Sequence, residues 1–217
     1  MKYDAILYDM DGTVLDTLGD LCDSVNCALS HFSFPAVTQQ AVAQYLGNGA
    51  KRLITLSCPL GTDEATVEKV LAFYVPWYNE HCRIKTAPYD GISEMMRKLK
   101  TMGAKQAVIS NKPDSAVQPL AEEFFSGLLE LAVGESKDVR RKPAPDSVLA
   151  AAKKMNVPLD RCVYIGDTEV DIETAKNAGM DCISVTWGFR SAQQLAQSGA
   201  TVMVNSAEEL FDRLTRE

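Results

Sequence analysis

Two aspartates lie two residues apart, directly after the first hydrophobic segment of the chain. Asp9 and Asp11 follow the apolar run 5–8, which predicts a short buried strand, and Gly12 allows a sharp turn. Residues two apart in an extended chain share a face, so both carboxylates should point to the same side. Carboxylates this close repel each other unless one keeps a proton or a cation joins them. Alternatively, Asp11-Gly12 only marks a turn, and the stretch 9–13 alone leaves both interpretations open.

The composition is that of an ordinary soluble globular enzyme. The 217 residues are 46% apolar and 24% charged, a length that suits one domain with a smaller insertion. The net charge of −7 argues against nucleic acid or an anionic membrane as the main partner, and an anionic substrate would need local positive charge. We expect no signal peptide and no membrane span. Six scattered cysteines without a CxxC pair indicate reduced thiols in a cytoplasmic protein.

The elements that must position the aspartates fall into a helical part and an alternating part. Apolar residues recur at helical spacing over about 18–32, 42–46, 50–56 and 65–82, where nothing resembles a strand. From residue 92 onward, predicted helices alternate with short apolar strands at 106–109, 131–133, 162–165 and 182–185. This alternation predicts an α/β fold with a doubly wound parallel sheet. We therefore predict a core of residues 1–15 and 84–217, with a helical cap inserted at 16–83.

Polar residues follow these strands where binding residues of parallel sheets gather, at the carboxyl ends. Ser110 and Asn111 follow the second strand, Lys142 lies in the loop after the third, and Asp167 and Asp171 follow the fourth. Each has a structural alternative. Residues 110–111 could cap the next helix, Lys142 could be a solvated charge, and Thr168 with Asp171 fits a capping box. Four such groups in order at strand ends nevertheless favour one functional site.

These four groups resemble the motifs of the haloacid dehalogenase-like hydrolases, in the phosphatase branch with a small helical cap. The corresponding stretches are 9–13, 110–111, 142–143 and 166–171, and the resemblance covers essentially the whole chain. Within the family, the chain looks most similar to phosphoglycolate phosphatases. The softer cues for that subgroup lie at 47–49, 88–91, 177–179 and 185–188. The resemblance implies a Rossmann-like core and a phosphoric monoester hydrolase acting on small phosphorylated metabolites.

The resemblance also implies a mechanism through an aspartyl phosphate. Asp9 would attack phosphorus, and Asp11 would protonate the leaving oxygen and later deprotonate the attacking water. Mg²⁺ is the expected cofactor, bound by the carboxylates of Asp9 and Asp167 and by the main-chain carbonyl of Asp11. Asp171 would support the site from behind, with Glu169 a weaker candidate for that role.

Further groups would hold the phosphoryl oxygens. Lys142 can supply a full charge, Ser110 a hydroxyl, and main-chain N–H groups around Asn111 and the first motif the rest of the cradle. Thr13 is expected near Asp9 as a supporting residue. Lys112 is expected to point away from the site.

The predicted cap would act as a lid whose residues choose the substrate. Asn48 and Gly49 open a helix whose N–H groups could meet an anion, and Lys51 or Arg52 could pair with a substrate carboxylate. Equally, the two basic residues could be a solvated face, and the whole insertion could be purely structural.

Several other activities share these motifs. A sugar-phosphate mutase uses the same two aspartates, and pyrophosphate or a nucleotide could be the substrate. A silent phosphate-binding module is disfavoured because binding needs no paired acid such as Asp11. A dehalogenase is disfavoured for the same residue, since carbon–halogen displacement does not require it.

Overall fold

The computed structural model describes residues 1–137 and 139–216. Along the chain these residues form the elements β1 (Ala5–Tyr8), β2 (Leu15–Asp16), α1 (Leu18–His31), α2 (Gln39–Tyr45), α3 (Gly49–Ser57), α4 (Glu64–His81), β3 (Ala87–Pro88), α5 (Ile92–Thr101), β4 (Lys105–Pro113), α6 (Asp114–Phe125), β5 (Leu131–Glu135), α7 (Asp146–Met155), β6 (Cys162–Gly166), α8 (Glu169–Ala178), β7 (Asp181–Val185), α9 (Ala192–Gln197), β8 (Met203–Val204) and α10 (Ala207–Thr215).

A six-stranded parallel sheet forms the centre of the molecule, in the order β5-β4-β1-β6-β7-β8. Strand β1 is buried along its whole length and alternates between two apolar clusters. Ile6 and Tyr8 belong to the larger cluster, which includes residues of α5, α6 and α10. Ala5 and Leu7 belong to the second cluster, with residues of α7 and α8. Helices therefore cover both faces, and the predicted doubly wound α/β fold is confirmed.

Helices α1 to α4 pack on one another between β2 and β3. The two short strands β2 and β3 pair antiparallel. The buried carboxylate of Asp20 makes a second connection between the chain segments that contain them. Asp20, near the start of α1, accepts hydrogen bonds from the amides of Ile84, Lys85 and Thr86 at 2.9–3.0 Å and from the Thr86 hydroxyl at 2.9 Å. The chain thus leaves for the helical part and returns from it at one place.

The predicted elements differ from the observed ones mainly at short strands. Strands β2, β3 and β8 were not predicted, because two residues are too few to show a period. Strand β4 extends to Pro113, beyond the predicted end at 109, since it pairs again with β5 at Pro113–Glu135 after a register shift. Among the described residues, no helix combines the length and apolarity needed to cross a membrane.

Candidate active site

The polar residues predicted from the strand ends converge at one edge of the sheet. Strand β1 lies between β4 and β6, so the segments that follow these three strands are neighbours. The structure thereby brings together Asp9, Ser110, Asn111 and Asp167, and the loop after β5 adds Lys142. All five side chains are buried.

Asp9 is held from one side only. Its Oδ1 accepts a hydrogen bond from its neighbour Met10 N at 2.7 Å and lies 2.9 Å from Lys142 Nζ. Its Oδ2 accepts no hydrogen bond from the described residues. Burial raises the pKa of Asp9 to about 7, Lys142 opposes this, and the nearby charges of Asp171 and Asp11 add to it. One carboxylate oxygen is therefore fixed while the other remains available for chemistry.

Lys142 ties Asp9 to the strands behind it. Its ammonium contacts Asp9 and also reaches Asp171 Oδ1 at 2.8 Å and Tyr164 Oη at 2.9 Å. These three oxygens match the three donors of an ammonium group. Burial alone would lower the pKa of Lys142, but Asp171 and Asp9 raise it well above its usual range. The lysine therefore stays charged beside Asp9. Because its side chain is buried, it is not the solvated charge that the sequence allowed as an alternative.

Asp171 uses both of its oxygens inside the protein. Oδ1 pairs with Lys142, and Oδ2 accepts hydrogen bonds from Thr168 N at 3.0 Å and Thr168 Oγ1 at 2.8 Å. Both interpretations of this residue from the sequence are therefore compatible. Asp171 completes the capping box at the N-terminus of α8, and it also orients Lys142.

Asp167 lies across from Asp9. Its Oδ1 accepts from Thr13 Oγ1 at 3.0 Å, and its Oδ2 accepts from Phe189 N at 2.7 Å. Thr13 was expected to support Asp9; the hydrogen bond it makes is instead to Asp167, because the turn after β1 directs its hydroxyl to the end of β6. Burial raises the pKa of Asp167 well above its usual range, and Asp171 and Asp9 reinforce this.

Two glycines make room for this carboxylate. A Cβ atom at Gly12, which has φ +80°, would lie 2.4 Å from Asp167 Oδ2, and a Cβ at Gly188 would lie 2.3 Å from the same oxygen. Real Cβ atoms do not approach this closely, so larger residues would displace the carboxylate.

These acidic residues suit a divalent cation. Asp9, Asp167 and Asp171 each offer a carboxylate oxygen, and the three atoms lie within 4.8 Å of one another. Asp171 is already bonded to Lys142 and Thr168. Among the described residues, no group donates to Asp9 Oδ2, and each Asp167 oxygen accepts a single hydrogen bond. Oxygen donors of this kind suit Mg²⁺, which retains several waters and needs few protein carboxylates.

Asp11 is the most exposed of the candidate catalytic groups, with 16% of its side chain accessible. Its Oδ1 accepts from Thr17 Oγ1 at 2.6 Å and lies 2.9 Å from Lys112 Nζ. The expectation that Lys112 points away was wrong. Because β4 continues through residue 112, this side chain is directed into the site, where it is buried and also contacts the Tyr78 hydroxyl.

The second motif contributes in two ways. The Ser110 hydroxyl accepts from Lys112 N at 3.2 Å and keeps its own proton free to donate. The Asn111 amide contacts the protein itself: Nδ2 donates to the carbonyls of Lys142 and Gly47, both at 2.9 Å, and Oδ1 accepts from Lys142 N at 2.8 Å. The side chain of Asn111 therefore holds the Lys142 loop and the turn before α3 together, which leaves its main chain for any phosphate contact.

The candidates from the helical part are placed unevenly. Gly49 lines the cavity above the aspartates, whereas Asn48, the residue before α3, does not. Arg52 is exposed and lies outside the cavity lining, so a substrate contact from it is not supported by the geometry. Lys51 pairs with Glu64 at 3.0 Å and Glu68 at 2.6 Å, as expected for the solvated alternative.

A small cavity of about 50 Å³ separates the helical part from the aspartates. Polar groups of both parts and a largely apolar wall from the helices enclose it. Its lining includes Asp9, Asp11, Ser110, Lys112, Tyr74, Tyr78, Leu21, Leu46, Leu53 and Phe189.

Sequence reasoning missed three residues of this region. Tyr74 and Tyr78 lie one turn apart on α4 with stacked rings, and their spacing had been read only as a helical apolar pattern. Arg190 is buried and pairs with Glu169, at 2.8 Å between Nε and Oε2. It also donates to the carbonyls of Ala43 and Leu46, so it caps the end of α2. The sequence gives no sign of this contact, because Arg190 and the end of α2 are far apart along the chain.

Comparison with known proteins agrees with this geometry. The family model for haloacid dehalogenase-like hydrolases matches residues 6–185. This chain belongs to that family. The resemblance predicted from the four motifs is therefore confirmed, and the relatives bear out the predicted class of phosphoric monoester hydrolases.

Two curated relatives and one solved structure illustrate the similarity. N-acetylmuramic acid 6-phosphate phosphatase of Pseudomonas aeruginosa is 30% identical over 218 residues, covering 100% of this chain and 96% of that protein. Phosphoglycolate phosphatase of Colwellia psychrerythraea is 30% identical over 220 residues, covering 98% and 97%. A crystal structure from Lactobacillus delbrueckii subsp. bulgaricus, for which phosphoglycolate phosphatase activity is proposed, is 41% identical with a TM-score of 0.95 and covers 100% of both chains.

Proposed function

We propose that this protein is a Mg²⁺-dependent phosphatase that hydrolyses small phosphate monoesters through an aspartyl phosphate on Asp9, with 2-phosphoglycolate as the leading substrate. The observation that supports the proposal is that only one of the two carboxylate oxygens of Asp9 is fixed by neighbouring groups. Asp9 Oδ1 is fixed by Met10 N and Lys142, while Oδ2 accepts no hydrogen bond within residues 1–137 and 139–216. A nucleophile needs this combination of a fixed orientation and a free lone pair.

The chemistry proceeds in two balanced steps. Asp9 Oδ2 forms a bond to phosphorus as the ester P–O bond breaks, and Asp11 gives its proton to the leaving oxygen. Water then attacks the same phosphorus, Asp11 takes the water proton, and Asp9 is released together with inorganic phosphate. Lys142, beside Asp9, and the Ser110 hydroxyl stabilise the charge on the transferring oxygens.

Mg²⁺ would be held by the carboxylates of Asp9 and Asp167 and by the main-chain carbonyl of Asp11. When bound, it would supply positive charge that offsets the clustered carboxylates and the dianionic substrate. Asp171 stays outside this set because Lys142 and Thr168 occupy it.

We further infer that residues 16–83 form a cap that encloses the substrate. Support comes from two contacts across the cavity: Asn111 donates to the Gly47 carbonyl at 2.9 Å, and Arg190 donates to the Leu46 carbonyl at 3.0 Å. Enclosure excludes bulk water while the acyl phosphate exists.

The size of the cavity favours hydrolysis of a small ester over the alternatives. The cavity is small and its wall from the helices is largely apolar, which suits a short ester better than a sugar ring with a second phosphate. Both compounds named for the curated relatives, phosphoglycolate and N-acetylmuramic acid 6-phosphate, are carboxylic acids that carry a phosphate. The smaller of them is the better match to this space.

The test is phosphate release with Mg²⁺ from 2-phosphoglycolate, sugar phosphates, nucleoside monophosphates and pyrophosphate. We expect 2-phosphoglycolate to exceed the others in kcat/KM by about 10²-fold, or roughly 2.7 kcal/mol of transition-state discrimination. Asp9→Asn should lower kcat by at least about 10⁴-fold, as the loss of a nucleophile does elsewhere. Asp160→Asn is the matched control, because Asp160 is exposed and precedes β6, at the opposite end of that strand from Asp167. Absence of Mg²⁺-dependent release from every compound would refute the proposal.

A further inference from the structure

One buried cation in the cavity wall is not used by the proposed mechanism. The Lys112 side chain is 3% exposed, and its ammonium reaches Asp11 Oδ1 at 2.9 Å and the Tyr78 hydroxyl. An ammonium has three donors, so one remains without a partner among the described residues. Burying a lysine is costly unless it is paired, and Asp11 supplies that pair, so the third N–H is the part of the ammonium that is left for a ligand.

Two tyrosines place further donors beside this lysine. Tyr78 Oη accepts from Lys112 and donates to no acceptor in the described part of the chain. Tyr74, one helical turn earlier, also lines the cavity and makes no hydrogen bond through its hydroxyl within residues 1–137 and 139–216. Lys112, Tyr74 and Tyr78 therefore present one spare N–H and two spare O–H groups to the same small space. A carboxylate, with two oxygens and several lone pairs, can accept from all three donors at once.

We propose that Lys112 and Tyr78, with Tyr74 beside them, form a subsite for a carboxylate on the leaving group. The substrate class is then a phosphate ester of a short 2-hydroxy acid. This inference rests on the proposed phosphatase activity and adds the residues that would select its substrate.

The position of Lys112 beside Asp11 indicates where that carboxylate lies on the substrate. Asp11 must come within about 2.6–3.2 Å of the leaving oxygen in order to protonate it. Lys112 Nζ lies 2.9 Å from the Asp11 carboxylate, so the two partners of the leaving group are immediate neighbours. A carboxylate on the carbon that bears the ester oxygen can meet Lys112 while that oxygen meets Asp11.

The rest of the wall agrees with a short acid. Leu21, Leu53 and Phe189 offer no polar group that could bind the hydroxyls of a sugar. No other lysine or arginine lines this cavity among the described residues, since Lys51 pairs with glutamates at the surface and Arg52 is exposed. Recognition of a carboxylate therefore falls to Lys112 and its tyrosine partners.

The experiment compares two esters of equal length in the wild-type protein and in variants. 2-Phosphoglycolate and 2-hydroxyethyl phosphate differ only in having a carboxylate or a hydroxymethyl group at the position in question. The readout is the ratio of their kcat/KM values with Mg²⁺. Lys112→Met removes the charge, Tyr78→Phe removes only the hydroxyl, and Lys69→Met, an exposed lysine on the same helix as Tyr78, is the control.

We expect the wild-type ratio to be about 10²-fold in favour of the carboxylate and to fall at least about tenfold in Lys112→Met, because a charged hydrogen-bond pair is lost. Tyr78→Phe should lower the ratio about fivefold, and Lys69→Met should leave it unchanged. Asp11 is disturbed for both esters alike, so only a carboxylate contact changes the ratio.

Each other outcome is decisive. Equal losses on both esters in Lys112→Met and Tyr78→Phe would show that Lys112 serves Asp11 alone, and would overturn the subsite. A wild-type ratio near one would also overturn it while the phosphatase activity stands. Hydrolysis of neither ester, while another compound of the panel is hydrolysed, would overturn the subsite; absence of release from every compound would refute the proposed function itself. If Lys112→Met does not fold, as judged by its thermal unfolding, the ratio in Tyr78→Phe decides.

Discussion

Binding of Mg²⁺ to this site should release protons at neutral pH. Burial raises the pKa of Asp9 to about 7, so about half of the metal-free protein carries a proton there at that pH. A metal ligand must be ionised, so the cation has to displace this proton. At pH 6 only about one tenth of Asp9 is ionised, against about nine tenths at pH 8.

The expected magnitude follows directly. Displacement of one proton makes the apparent Kd for Mg²⁺ about tenfold weaker at pH 6 than at pH 8. Burial also raises the pKa of Asp167 well above its usual range, which acts in the same direction and increases the pH dependence. Isothermal titration calorimetry in two buffers of different ionisation enthalpy counts the released protons. A Kd that is constant between pH 6 and 8, with no proton released, would refute the reasoning.

The same carboxyl group links pH to stability in the metal-free protein. The raised pKa means that the native state keeps a proton that the unfolded chain releases, so the free energy of unfolding falls as pH rises from about 4 to 7. Moving this pKa from 3.8 to about 7 corresponds to at most about 4 kcal/mol. The side chain introduced by Asp9→Asn is neutral in the native and the unfolded state, so this variant should lack the loss of stability. Urea unfolding of the wild type and the variant at pH 5 and 8 in EDTA measures the difference. The same pH dependence of the free energy of unfolding in both proteins would contradict the prediction.

Two further predictions concern the joints between the helical part and the sheet. Asp20→Ala should lower the free energy of unfolding by about 2–4 kcal/mol, because three amides at 84–86 and the Thr86 hydroxyl lose a buried acceptor; urea unfolding checks this, and a change below about 0.5 kcal/mol contradicts it. Arg190→Met should raise KM for the best substrate several-fold with a smaller effect on kcat, because the carbonyls at the end of α2, including that of Leu46, lose their donor. Steady-state kinetics measures both constants, and an unchanged KM would contradict the prediction.

Much of the fold could be predicted because it depends on long apolar patterns. Strand β1 and helix α8 are specified by local sequence, and so are the aspartates that follow β1 and precede α8. Lys112 was misplaced for the opposite reason. Its direction depends on β4 continuing to Pro113, and that extension is set by pairing with β5, which no local pattern shows. The hydrogen bond of Thr13 to Asp167 depends in the same way on residues 154 positions apart.

The contacts of Asn111 suggest why the site and the enclosing helices form together. Its amide makes two hydrogen bonds to the main chain of Lys142 and one to the carbonyl of Gly47. The first two hold the loop that places the lysine beside Asp9, and they do not depend on the helical part. If residues 16–83 act as the proposed cap, the third bond would be lost on opening, and that N–H would bond to water instead. The two bonds that orient the lysine would remain. The nucleophile would then keep its orientation in the open state, and closure would add Tyr74 and Tyr78 over the leaving group, where substrates could be distinguished.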